Sequence, residues 1–531
     1  MLADALRTPP DGLGEAFTLI DGLDDALVHG LARLDEERAA ALESFAAAFT
    51  GSPLSGRVTD AIGKIVAGSV TDEHLAVLAG ARAALTGAAH DALLGRLDSA
   101  LGRSRPAWPT TSTDAGPLPA DDRPGPVLTE DASDPLPADG RSGSLPVDGR
   151  SGSLPADGRS RPLLAGGRSW LRELALAGWR GVDHELAGGG DRAVQALLAD
   201  PSGRRLAVLL DGFAAELRSA APVATFDRIP VRRWADLWAR AILLSQDTFA
   251  AVGVSPSASA ASAASTTSAG SAASAVSATG VVSAAAAVAA DGRLLLLGVD
   301  LHEHPTVFRA QAHGLLETAG GEVRLVRVSV AAAKVDTISG SSAWRMLSGF
   351  PVFREALAGR RTVEVSGMAL TPAGDLLWDE SRAVPGEPAD PFAVARVRLG
   401  AATASPVAPL DRHPAAIAEP VLLEGYTAGA ESFELGGVTL AVDSDRLPEA
   451  GPITPALVAA STACLGLLRW DAGRWAVQPL AVQALVRKKP VVAHTGDWAL
   501  GPTEPKAAKA EAVAGTAVDV LRERAGRLLR K

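Results

Sequence analysis

Arg293-Leu294-Leu295-Leu296-Leu297-Gly298-Val299-Asp300-Leu301-His302-Glu303-His304-Pro305 is the stretch from which the rest of the chain can be read. A short apolar run closed by a proline predicts a strand, and it opens a block of short apolar segments separated by Gly and Pro. The tract before it, over residues 253–283, is almost entirely Ser, Ala, Thr and Gly, the composition of a flexible linker. The expected fold class is therefore multidomain α + β. It has an N-terminal all-α helical region, a C-terminal β-rich block of barrel or sandwich type over residues 284–500, and a terminal basic helix over 501–531.

Inside the β-rich block, Val323 and Leu325 share one side of a strand, with Arg324 opposite. The apolar phase then moves to Val326, Val328 and Val330, which predicts a bulge at Leu325-Val326. Thr362 to Leu370 reads as a strand that turns at Pro372-Ala373-Gly374-Asp375 and returns through Leu376-Leu377-Trp378. Ala393 to Leu399, Pro420 to Tyr426 and Phe433 to Val442 read as further strands, and short helices are expected on either side of Pro351. A hairpin joins Gly466–Trp470 to Trp475–Gln478, with Gly473 free to adopt the positive φ that a short turn needs. Many short strands with such turns point to one or two barrels or sandwiches.

Towards the N-terminus, residues 1–104 read as helical. Phe17, Ile20, Leu23, Leu27, Leu31 and Leu34 form one apolar stripe, and Thr71-Asp72 opens a second helical run. Residues 105–165 change to Pro, Gly, Ser, Asp and Arg, and the unit Ser144-Leu145-Pro146-Val147-Asp148-Gly149-Arg150-Ser151-Gly152 repeats at once. So few apolar residues cannot build a solenoid core, so this segment reads as a disordered linker. Helix returns over residues 166–252, open to packing with 1–104 as one unit. In its last helix Trp234, Leu237, Trp238 and Ala241 share a face. Trp234 and Trp238 read as core; the alternative is an exposed ridge for a partner. Thr503 is placed to cap the terminal helix. Arg487 to Lys531 carries ten Lys or Arg against five Asp or Glu.

Over its 531 residues the chain has a net charge of −10, which argues against a generic polyanion binder. Arg is plentiful and Asn absent, the mark of a GC-rich genome, so the arginines are weak evidence for phosphate contacts. Cys464 is the single cysteine, which excludes an intramolecular disulfide framework and a cysteine-based zinc cluster. Its apolar neighbours predict a buried thiol. No basic start followed by an apolar run suggests a secretory signal, and no apolar run reaches about 18 residues, so the expected compartment is the cytoplasm, with no membrane contact.

Three sets of residues are candidates for chemistry. His302 and His304, two apart at a strand end, would point to one face with Asp300 on the same side, a start for a metal-dependent hydrolase. His313 can approach across a hairpin; the plain alternative is a solvated strand end. Lys334, with Ser341 and Ser342 ahead of Trp344, suits an anion at a helix start, or a simple N-cap. Phosphate-loop, nucleophile-elbow and dinucleotide motifs are absent, and no cofactor is expected.

At Val231-Arg232-Arg233-Trp234-Ala235-Asp236-Leu237-Trp238, at Gly374-Asp375-Leu376-Leu377-Trp378-Asp379 and at Leu468-Arg469-Trp470-Asp471-Ala472-Gly473-Arg474-Trp475 the chain resembles uncharacterised proteins of GC-rich bacteria. That group is associated with gene neighbourhoods encoding a SWIM zinc-finger protein, a MoxR-type AAA+ ATPase and von Willebrand A-type proteins. The resemblance implies an accessory to such an ATPase system and carries over no catalytic residue. The preferred expectation is a non-enzymatic cytoplasmic adaptor with protein partners. The alternatives are a hydrolase using His302, His304 and Asp300, and a nucleic-acid-binding β-barrel with a basic tail.

Overall fold

The computed structural model describes residues 2–109, 157–198, 203–226, 228–246, 287–304, 307–334, 338–429, 431–448 and 451–503, and beyond them Pro505, Ala508, Lys509 and Val520. The expected Ser/Ala linker, most of the repeat linker and nearly all of the expected terminal helix lie outside the described residues.

The helical body holds α1 (Leu2–Arg7), α2 (Leu13–His29), α3 (Glu36–Ala47), α4 (Ser55–Val66), α5 (Asp72–Leu101), α6 (Asp157–Ala177), α7 (His184–Leu198), α8 (Arg204–Ala220) and α9 (Val231–Leu244). The start of α5 is set by a capping box: the Thr71 hydroxyl accepts from His74 N, and His74 Nδ1 accepts from Thr71 N. Gly102, left-handed at φ 67°, ends it. The two helical regions are one unit. Leu31 N donates to Ala175 O at 2.8 Å, and Gly30 and Gly178 meet backbone to backbone. A Cβ on Gly178 would lie 2.3 Å from Gly30 N, so glycine is required there. Helix α6 begins at Asp157, within the expected linker, and its Leu164 is buried in the shared core.

Helix α5 is the spine of the molecule. Its 30 residues span about 45 Å at 1.5 Å per residue. Leu75, Leu78 and Ala79 pack with Trp179, Trp234 and Trp238 in the helical core. Further along, Ala89, Leu93, Leu94 and Leu97 pack with Ile417, Val421 and Leu468 of the β-rich half. Helical and β-rich parts thus share a core and are not independent bodies on a tether.

The β-rich half contains two sheets. In the first, β1 (Val288–Glu303), β2 (Val307–Glu317), β3 (Val323–Ala333), β4 (Arg361–Leu370) and β5 (Asp375–Leu377) close a ring in the order β1-β2-β3-β5-β4-β1. β3 and β5 are parallel; the other neighbours are antiparallel. β6 (Ala383–Pro388) pairs further along β4. A 3-10 turn at Gly340–Leu347 and α10 (Pro351–Ala358) link β3 to β4 and fill the barrel with Trp344, Leu347, Phe353 and Leu357.

The second sheet repeats this plan. It comprises β7 (Ala418–Glu424), β8 (Thr427–Ala428), β9 (Ser432–Leu435), β10 (Val438–Val442), β11 (Ser461–Asp471) and β12 (Arg474–Val486), with β13 (Lys489–His494) on β12. β7 and β8 follow each other across Gly425, at φ 69°, and act as one kinked first strand. Counted so, the order is again first-second-third-fifth-fourth-first. Third and fifth strands, β10 and β12, are again parallel, and a helix, α12 (Pro455–Ala459), again precedes the fourth. Both are five-stranded barrels of OB type. The expected hairpin is in place, with Trp470 opposite Trp475 and a turn at Ala472 (φ 47°) and Gly473 (φ 79°).

Three expectations are overturned. Phe433 to Val442 is not one strand but the hairpin β9–β10, because Gly436-Gly437, at φ 56° and 76°, reverse the chain within it. The β2–β3 register runs unbroken from Val307↔Ala333 to Glu317↔Val323, so there is no bulge at Leu325-Val326. The apolar phase shifts because β3 is buried on both faces, with Val326, Val328 and Val330 inside the barrel and Val323 and Leu325 outside it. The expected strand over Ala393–Leu399 is helix α11 (Pro391–Arg398), followed by a 3-10 turn. The Asp390 carboxylate caps Phe392 N at 3.0 Å, Pro391 suits the first turn, and Phe392, Ala395 and Leu399 are buried at helical spacing.

The leucine run of β1 now has a physical account. Leu294 and Leu296 fill the first barrel, while Leu295 and Leu297 point outward into a joint with Ala463, Leu465 and Ala481 of the second barrel and with α11. A Cβ on Gly298 would lie 2.5 Å from Leu480 Cβ, so a glycine there lets the barrels touch.

Candidate functional site

Polar side chains converge where the two barrels meet. Beyond the β1 register shift at Leu296/Gly298, the outward face of β1 carries Asp300 and His302, opposite Gln311 and Arg309 of β2, and His313 stands opposite Arg327 of β3. The second barrel contributes Arg469 and Gln478, from adjoining strands β11 and β12. Asp300 is 3 % exposed. Its carboxylate accepts from Arg469 Nη2 at 2.8 Å and Gln478 Nε2 at 2.7 Å, and lies 2.9 Å from His302 Nε2. Arg469 Nε donates to Gln478 Oε1 at 2.7 Å. Burial pushes the Asp300 carboxyl up, but His302, Arg469 and Gln478 outweigh it and hold it well below the usual carboxylate range.

His313, 1 % exposed, is buried beside this network, its Nε2 3.4 Å from Gln311 Nε2. Burial holds its imidazole neutral and pushes its pKa down to about 3. An unfolded histidine takes up its proton near pH 6.5. Between those values the unfolded state binds more protons, so stability falls as pH falls, by about 1.4 kcal/mol per pH unit. Burial also lowers His494, His90 and His413, which act in the same direction. Denaturant titrations at pH 7 and pH 5 check this. The native chain should lose about 2 kcal/mol more over that interval than His313→Gln; equal losses would refute the assignment.

The metal reading gathers Asp300 and His302 but not His304. β1 ends at Glu303, so His304 lies beyond the alternation that was to place both imidazoles on one face. It is exposed, and its backbone N donates to Val307 O at 2.9 Å. Among the described residues no three His, Cys, Asp or Glu are grouped to hold a metal.

The anion reading is filled from within. Lys334 is buried; its Nζ donates to Ile338 O at 2.7 Å and pairs with Glu303 Oε1 at 3.3 Å. Glu303 Oε2 accepts from Gly340 N at 3.3 Å, so the chain's own carboxylate sits at that helix start. The cap position belongs to Ser339 rather than Ser341 or Ser342, and Ser342 is buried.

Trp234 and Trp238 are core and not a ridge. They are 1 % and 0 % exposed, with Trp238 Nε1 donating to Leu171 O at 3.0 Å and Trp234 Nε1 to Glu216 Oε2 at 3.2 Å. Cys464 is fully buried, and burial pushes its thiol up.

Sequence reasoning missed Arg469 and Gln478. Each interrupts a run of apolar residues within its strand, Leu467-Leu468 before Arg469 and Ala476-Val477 before Gln478, and that is the signal for a buried partner. Two clefts open elsewhere. One, of about 820 Å³, lies at the start of α9 and is lined by Asp21, Asp25, Arg180, Arg228, Arg232 and Arg233. Arg232 is forked onto Asp21 at 2.7 and 2.6 Å. The other, of about 440 Å³, lies between α1 and the mouth of the second barrel, against Leu6, Arg7, Leu440, Trp470 and Trp475. No helix among the described residues is long and apolar enough to cross a membrane. Compared with family models, with curated proteins and with solved structures, the chain matches none.

Proposed function

We propose that the chain is a non-catalytic adaptor, a stiff composite body on which protein partners dock. The observation that carries this reading is the junction of the barrels. Where titratable groups gather, Asp300, Arg469 and Gln478 are buried and engaged with one another, and only His302, 37 % exposed and 2.9 Å from Asp300, reaches solvent. Such a network fixes two bodies in register, with its carboxylate committed inside the joint and only the edge of His302 in solvent.

The nucleic-acid reading finds less support. OB-type barrels use the outer face of their second and third strands for oligonucleotides. In the first barrel Leu315, Val323 and Leu325 of that face lie under Phe392 and Leu399. The resemblance suggests a MoxR-type AAA+ ATPase as the first partner to try. Cross-linking and purification from native cells test the reading: a stoichiometric protein complex is expected. A strictly solitary protein carrying one equivalent of metal, lost in His302→Ala, would replace the adaptor with the hydrolase.

A further inference from the structure

β12 and β13 run on past the body as a two-stranded arm. Every residue from Leu485 to Val491 is exposed, including Leu485 at 57 %, Val486 at 37 % and Val491 at 36 %. Leu485 is opposite Pro490 and Val486 opposite Lys489, so the turn is Arg487-Lys488 alone. Both residues are left-handed, at φ 51° and 67°. A two-residue turn of this form suits Asn-Gly or Gly-Gly; a Cβ there crowds the next carbonyl. The chain has 54 glycines, and the comparable turns Gly436-Gly437 and Ala472-Gly473 each use at least one, whereas this turn uses none. Two cations at this tip are kept against the local conformational preference.

The side chains of Arg487, Lys488 and Lys489 make no hydrogen bond or ion pair among the described residues. Many other cations of the chain are paired, as in Arg360 with Asp497 at 2.8 Å and Arg396 with Glu424 at 2.9 Å. Others, such as Arg57 and Arg96, unpaired among the described residues, stand singly on helices rather than three in a row at a strand tip. Protection of the free β13 edge accounts for Lys489 and Pro490. It does not account for the strained turn, nor for three exposed aliphatic side chains beside it, which an edge built for protection alone would replace with polar ones.

We propose that this arm docks an acidic, extended segment of a partner protein. Its carboxylates pair with Arg487, Lys488 and Lys489, and its aliphatic side chains cover Leu485, Val486 and Val491. The chain carries −10 overall although these three cations contribute +3, so the body repels a broad polyanion such as nucleic acid or an anionic membrane. A short acidic segment reaches the tip without meeting the body. Phosphates, moreover, would leave the aliphatic flanks uncovered. The inference rests on the adaptor reading and names one of its surfaces.

The test is fluorescence anisotropy on the full chain with a labelled peptide of alternating Glu and Leu, alongside a labelled oligothymidylate and phosphatidylglycerol vesicles. The peptide should bind in a salt-sensitive manner. The double variant Arg487→Asn with Lys488→Gly should weaken it at least tenfold, while its Tm rises by about 2 °C because the turn relaxes. That rise separates lost binding from lost folding. Equal binding by the variant, no peptide binding, or tighter binding of the oligonucleotide or vesicles overturns the proposal. If the peptide fails while a native complex is still recovered, the arm is refuted and the adaptor reading stands.

Discussion

Asp300→Ala lowers the unfolding free energy by about 3–5 kcal/mol, because it leaves the Arg469 guanidinium buried against the first barrel with its charge unanswered. Arginine cannot shed its proton to escape. The variant must therefore open the joint to water or carry the penalty, and the barrels loosen in either case. Removing both ends, as in Asp300→Leu with Arg469→Met, recovers most of the loss, since an apolar pair of similar volume replaces an ion pair near neutrality. Urea titrations of the singles and the double close the cycle. A single-variant effect under about 1 kcal/mol would mean that the network is not what holds the barrels together.

In the helical body the largest effect is expected at Asp24. Arg82 Nε and Nη2 fork onto its two oxygens at 2.7 and 2.9 Å, and both residues are essentially inaccessible. Nη2 also donates to Arg232 O at 3.2 Å, and Asp236 lies 3.7 Å from Nη1. Asp24→Ala should cost about 3–5 kcal/mol. The reverse change, Arg82→Met, should cost less. Burial already pushes the Asp24 carboxyl up, so an abandoned aspartate can protonate, whereas an abandoned arginine keeps its charge. Thermal unfolding of the two variants decides it: Arg82→Met at least as damaging as Asp24→Ala contradicts the asymmetry.

Local signals in the sequence were reliable where one residue type forces one geometry. Thr71 capped a helix, Gly473 made the hairpin turn, and the Pro351 neighbourhood was helical. Errors came where burial on two faces mimicked another pattern. Val323 to Val330 changed phase because two cores claim the strand, and Ala393–Leu399 alternated by chance while Phe392, Ala395 and Leu399 chose the helix. The candidate site was half legible. Asp300 and His302 do lie together, since two residues apart on a strand share a face. Their partners Arg469 and Gln478 are far away in sequence, and nothing local predicts a pairing between barrels. The shared strand order of the barrels was equally hidden, because it resides in register and not in residue identity.

The crossing of Gly30 over Gly178 has a consequence for how this chain can change over generations. Those backbones lock the two halves of the helical body together directly. Nothing in the lock measures how much chain separates them. Copies of the nine-residue unit can therefore be gained or lost by slippage during replication without moving either half, and a variable count there is compatible with one invariant body.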